Sequence, residues 1–125
     1  MAAERVLHAG EGPVRPLASG RGVSRAIVDG ETCGATRVDM HVNVLEPGRP
    51  AGPAHWHREA ENVYWVLEGT VEVDVEGRVH RLGPDQVIFI PPGVVHATSN
   101  PGDTVARMIE IYAPAGADFH RVDGG

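Results

Sequence analysis

At 125 residues and 13.3 kDa the chain has room for one domain with one core. Its net charge of −6 and pI near 5.6 argue against nucleic acid as the main partner, because a phosphate-binding face must be basic. All 11 basic residues are arginine, which removes Schiff-base chemistry and lysine general bases from the possible mechanisms.

Residues 1–22 are rich in Gly, Pro and Arg and show no sustained periodicity; they read as an arm that adds an edge strand or frays, ahead of a single domain over 23–125. The first residues carry an early acidic group, Glu4, and no apolar stretch of the kind a signal peptide needs. The longest apolar run, Val87 to Ile90, is far too short to span a bilayer. A soluble cytoplasmic protein with no membrane partner is expected. Arginine-only basicity together with much Ala and Gly points to a GC-rich bacterial genome.

From Val23 onward short strands alternate with turns. Ala26 to Val28 precedes the turn Asp29-Gly30. Val38, Met40, Val42 and Val44 then alternate with Asp39, His41 and Asn43, a period of two. Val63 to Leu67 closes at Glu68-Gly69, and Val71, Val73 and Val75 alternate with polar residues before Glu76-Gly77. Val79 to Leu82, Val87 to Ile90 and Val105 to Tyr112 follow, with Gly83-Pro84-Asp85 and Pro91-Pro92-Gly93 as turns. Strands at this spacing predict an all-β sandwich or barrel, with no helix of useful length.

Cys33 is the only cysteine, so the chain can form no internal disulfide and no thiolate metal cluster; it reads as a small, partly buried apolar residue. Of seven histidines, three stand in informative places. His55 and His57 are two apart, and in a strand such positions share a face, so both imidazoles can reach one ion. His96 follows the rigid turn Pro91-Pro92-Gly93. Three neutral imidazoles suit one divalent transition-metal ion (Fe, Mn, Ni, Cu or Zn) and leave positions open for substrate. His8, His80 and His120 read as solvated.

The segment from His55 to Gly69 (HWHREAENVYWVLEG) and that from Pro91 to Asn100 (PPGVVHATSN) resemble the two signature motifs of the cupin superfamily, motifs that span 55–69 and 85–100 here. The second fits the pattern P-x-G-x-x-H-x-x-x-N at each fixed position. The resemblance covers about residues 38–112. It implies a small single-domain cupin, a double-stranded β-helix or jelly-roll barrel, with a metal between its two sheets. Two departures stand out. Asp85 occupies the place where the family has a glycine, and Asn62 occupies the place of the family's carboxylate ligand, with Glu61 just before it.

Which of these two side chains completes the site stays open. Register counted from Gly69 turns Asn62 inward with Tyr64 and Val66. Hydrophobicity favours the opposite face, where Glu61 keeps company with Val63, Trp65 and Leu67, and a one-residue bulge would bring Glu61 to the metal. Register is the guide adopted, with Asn62 as fourth ligand or a hydrogen-bonding neighbour. Trp65 and Leu67 then face outward and need cover, so a homodimer with Trp65 or the N-terminal arm at its interface is expected. Trp56 is expected to point away from the metal. His41 and Asn43 read as a polar strand face, with the cavity mouth as the alternative. Glu110 shares a strand face with Met108 and Tyr112 and reads as an exposed or edge position; if it reaches the cavity, it and Tyr64 are the candidate catalytic groups.

Three functions fit a metal-binding protein of this class acting on a small molecule. A dioxygenase-type oxidoreductase is the leading expectation. A non-redox isomerase, lyase or cyclase using the metal as Lewis acid is the alternative, and a binding module for a sugar-like or carboxylate ligand is the third.

Overall fold

The structure, a computed structural model, describes residues 3–116 and 118–122; the first two residues of the arm and the last three of the domain lie outside the described residues. The chain forms β1 (Val14–Pro16), β2 (Gly22–Val28), β3 (Asp39–Leu45), β4 (His55–Trp56), β5 (Glu61–Glu68), β6 (Val71–Val75), β7 (Arg78–Leu82), β8 (Val87–Ile90), β9 (His96–Ser99), β10 (Ala106–Ala113) and β11 (His120–Arg121). A single helical turn, α1 (Gly30–Cys33), follows β2. It begins with a capping box in which Asp29 accepts from the Thr32 N–H and the Thr32 hydroxyl accepts from the Asp29 N–H. Cys33, at its end, is half-buried.

Two antiparallel sheets face each other. One has the order β1-β2-β3-β10-β5-β8 and the other β11-β4-β9-β6-β7. This is the predicted all-β jelly-roll architecture. The arm contributes β1, which pairs with β2 at the sheet's edge. The tightest hairpin joins β6 to β7 through Glu76-Gly77, both at positive φ, the two-residue turn whose twist suits paired strands.

Alternation decides what faces the space between the sheets. On β5, Asn62, Tyr64 and Val66 are buried while Glu61, Trp65 and Glu68 are exposed. On β10, Ala106, Met108 and Glu110 are buried. One end of the interior is apolar, with Val66, Val71, Val73, Ile90 and Met108 at its centre. The other end is polar and holds His55, His57, His96, Asn43, Asn62 and Glu110. Burying six polar side chains at one end is costly unless they have partners, so that end draws attention as a site.

Asp85 explains its own departure from the family's glycine. Its φ is +67°, a left-handed conformation that glycine adopts freely and Asp tolerates better than most side chains. The turn is anchored by the Asp85 N–H donating to the Val66 carbonyl at 2.8 Å.

Candidate metal and ligand site

His55 lies on β4 and pairs directly with His96 on β9, and His57 follows just beyond β4. The turn at Gly93 is tied to this loop, because its N–H donates to the His57 carbonyl at 2.7 Å. The two segments singled out by their spacing thus meet through their backbones. All three imidazoles are buried, and their potential ligand atoms lie within 4.8 Å of one another. Ring centroids are 4.3 Å apart for His55 and His96, 5.1 Å for His55 and His57, and 5.4 Å for His57 and His96.

The Nδ1 atom of each ring faces a backbone carbonyl: that of Pro53 at 2.9 Å for His55, Asp118 at 2.6 Å for His57 and Val94 at 2.9 Å for His96. A carbonyl can only accept, so these bonds put the proton on Nδ1 and leave the lone pair on Nε2. The Nε2 atoms of His57 and His96 are buried without a hydrogen-bond partner among the described residues. Three convergent nitrogen lone pairs, those of His57 and His96 buried without a partner among the described residues, fit a divalent transition-metal ion. Burial pushes His55 down to about 4, and it lowers His96 as well, so both favour the neutral form that a metal requires.

Asn62 is 0% exposed and donates to the Ile111 carbonyl at 2.9 Å and to Glu110 Oε2 at 3.4 Å. Glu61 is exposed on the opposite face of β5. Trp56 makes no ring contact with His55, His57 or His96 among the described residues and stacks instead on His120 at 4.5 Å.

Glu110 corrects the sequence expectation of an exposed or edge position. It is only 8% exposed, because β10 is an interior strand between β3 and β5 and Glu110 sits on its inward face with Met108. Amide donors compensate its burial: Asn43 Nδ2 donates to Oε1 at 2.7 Å and Asn62 Nδ2 approaches Oε2 at 3.4 Å. Asn43 is therefore part of the cavity wall, not a solvated strand face. His41 is half-buried, with its ring edge-on to Tyr112 at 6.0 Å. Tyr64 and Tyr112 face Glu110, and burial, reinforced by its negative charge, raises both phenols well above their ordinary range. At neutral pH both are hydrogen-bond donors.

Of the three histidines, His55 lines a cavity of about 230 Å³ whose wall also includes Asn43, Tyr64, Thr98, Glu110 and Tyr112. Its apolar surface comes from Leu17, Leu45, Met108 and Phe119. Phe119 stacks on His55 with ring centroids 4.2 Å apart. His120, expected to be solvated, is instead held between Trp56 and the carboxylate of Asp118, to which its Nε2 lies at 3.1 Å. The sequence reading missed Arg21, Thr98, Asp118 and Phe119 as site residues. Arg21, Asp118 and Phe119 belong to segments without periodicity, and only long-range contacts bring Arg21 and Phe119 to the cavity and Asp118 to His57.

Residues 41–112, more than half of the chain, match the cupin domain family. The chain is 33% identical over 101 residues to the polyketide synthase CurC of Streptomyces cyaneus, an alignment covering 81% of this chain and 65% of that protein. It is 36% identical over 90 residues to the protein SchB of Streptomyces halstedii, covering 72% of this chain and 64% of that one. It thus spans a little less than two thirds of either relative. Among solved structures, the polyketide cyclase RemF from Streptomyces resistomycificus superposes with a TM-score of 0.77 at 25% identity, covering 96% of this chain and 85% of that one. By motif, fold and family match together, the chain belongs to the cupin family.

Proposed function

We propose that the chain is a metal-dependent cyclase that closes rings in small polycarbonyl molecules without redox chemistry. The observation that carries this reading is the carboxylate of Glu110, buried in the cavity wall between two amides and beside two protonated phenols. The likeness to a polyketide cyclase over most of the chain supports it. The dioxygenase expected from the sequence would use the same histidines but gives these proton-transfer groups no task.

Ring closure by an aldol-type condensation needs a base for the proton next to one carbonyl and an acid for the oxygen of another. Glu110 takes the proton from carbon, and the electron pair left behind forms the new carbon–carbon bond at the second carbonyl. That carbonyl's oxygen takes a proton from the Tyr64 or Tyr112 hydroxyl, and Glu110 returns its proton to the phenolate. In sum, one proton moves from carbon to oxygen and both side chains are restored. A divalent ion bound by His55, His57 and His96 would supply Lewis-acid polarisation of a carbonyl. Asn43 and Asn62 orient the carboxylate, and Phe119 covers the His55 ring from solvent.

The test is anaerobic incubation with a synthetic aryl 1,3,5-triketone. Cyclised product should form without O₂, and Glu110→Gln should slow it by about 100-fold or more, in the range for loss of a general base. Turnover that requires O₂ and consumes it in step with product would overturn this reading. We further assign the exposed apolar face around Trp65 to a homodimer contact, the assembly in which the enzyme works.

A further inference from the structure

We propose that Arg21 binds an anionic oxygen group of the substrate, a carboxylate or an acidic enol, so that the cavity selects acids over their neutral analogues. The inference rests on this cavity being the substrate site of the cyclase reading and adds the charge of the molecule it takes.

Arg21 follows the short turn Ala18–Gly20, and its carbonyl accepts from the Glu46 N–H at 2.8 Å, which fixes the backbone. Its half-buried guanidinium forms part of the cavity wall. The side chain lies flat against Gly52. A Cβ at that position would stand 2.6 Å from the guanidinium carbon and 2.7 and 2.8 Å from its terminal nitrogens, so only glycine leaves room for it there. Nη2 donates to the Thr98 carbonyl at 3.3 Å, a carbonyl that also accepts from the Gly52 N–H at 3.0 Å.

That single bond uses little of a guanidinium's capacity of five N–H donors. Among the described residues no carboxylate lies within ion-pair distance of Arg21; the ion pairs present involve Arg15, Arg81, Arg107 and His120. Glu110 is occupied by its two amides. A partly desolvated cation with no paired anion is costly, and burial lowers its pKa accordingly.

A second observation points to a ligand. Thr98 Oγ1, on a residue of the same wall, is buried without a hydrogen-bond partner among the described residues. A guanidinium with spare donors beside a free hydroxyl is suited to a planar oxyanion, which it can hold through two parallel bonds. The apolar remainder of the wall suits the hydrocarbon body of such an acid. Arg21 also supplies the positive charge that offsets Glu110, whose carboxylate would otherwise repel an anion.

The experiment uses two probes of one shape, 2-naphthoate and 2-naphthamide, titrated calorimetrically into the full chain with metal bound and again after chelation. Wild type should prefer the acid by about 10-fold or more in both states. Arg21→Gln should lose about 10- to 100-fold in affinity for the acid, with little change for the amide, and Arg21→Lys should keep part of the preference. Gly52→Ala, which displaces the guanidinium while leaving its charge in the protein, should lower the preference too. Equal binding of the two probes by wild type, binding of neither, or a preference undiminished in both Arg21→Gln and Gly52→Ala would overturn the assignment. Triketone cyclisation without acid preference would sink this inference alone. Acid preference without cyclisation would sink the cyclase reading alone.

Discussion

The backbone carbonyl of Asp118 accepts a hydrogen bond from His57 Nδ1 at 2.6 Å, although the two residues are 61 apart in sequence. The carboxylate of Asp118 accepts the backbone N–H groups of Arg58, Glu59 and Ala60 at 3.0, 2.6 and 3.1 Å. One residue of the chain's last segment therefore orients an imidazole and holds the loop that follows it. Those N–H donors, that of Glu59 foremost, keep the Asp118 carboxyl well below the usual carboxylate range. Asp118→Ala should weaken metal binding by about 10-fold, measured by competition with a chelator, while Asp118→Asn should cost less. Unchanged affinity in the alanine variant would show that the carboxylate does not position His57.

Asn62 and Glu61 offer a paired contrast. Asn62 is buried and donates towards Glu110, whereas Glu61 is exposed. Asn62→Ala should leave metal content nearly intact and lower activity by about 10- to 100-fold, and Glu61→Gln should change neither. Elemental analysis of both proteins decides. Metal lost from Glu61→Gln and retained in Asn62→Ala would mean that Glu61 swings in as a ligand.

Burial of His55 makes the metal-free protein sensitive to acid. The unfolded imidazole titrates near 6.5 and the folded one is pushed down to about 4, so protons bind the unfolded chain more readily between these values. The stability at stake is present above about pH 6.5 and lost as pH falls through 4. Denaturant unfolding after chelation should show a loss on the order of 2–3 kcal/mol between pH 7.5 and 4.5, reduced in His55→Gln. The same pH slope in both proteins would remove His55 as its cause.

Trp65 is 42% exposed, and its register neighbours on the outer sheet face are Val87 and Ile109, with Phe89 exposed two positions on. Three adjacent strands, β8, β5 and β10, thus present apolar side chains on one outer face, the kind of patch a second subunit covers. Light scattering at micromolar concentration should give a dimer mass, and Trp65→Glu should give a folded monomer. A monomeric wild type would rule out this face as a dimer contact.

How far the site could be read in advance depended on what places each residue. The outward Trp65 and inward Asn62 follow from a period of two counted from Gly69, a local rule that β5 obeys throughout. His55, His57 and His96 came together because two motifs with rigid turns bring them there. Glu110 was misplaced because a carboxylate among Met108, Ile109 and Ile111 looks unfavourable inside until its partners are known. Those partners, Asn43 and Asn62, sit on the two neighbouring strands. Arg21 and Asp118 had no local pattern at all. Their positions depend on Gly52, Thr98 and the N–H groups of 58–60, contacts that only the folded chain creates.

The metal-to-chain ratio of purified protein, wild type against His96→Ala, tests the centre of this account most directly. His96 is 1% exposed and its Nε2 has no other partner among the described residues, so its loss should remove the metal and leave the barrel folded. About one divalent ion per chain in wild type and almost none in folded His96→Ala is the predicted result. Equal metal content in the two proteins, or none in wild type purified from its own host, would contradict it.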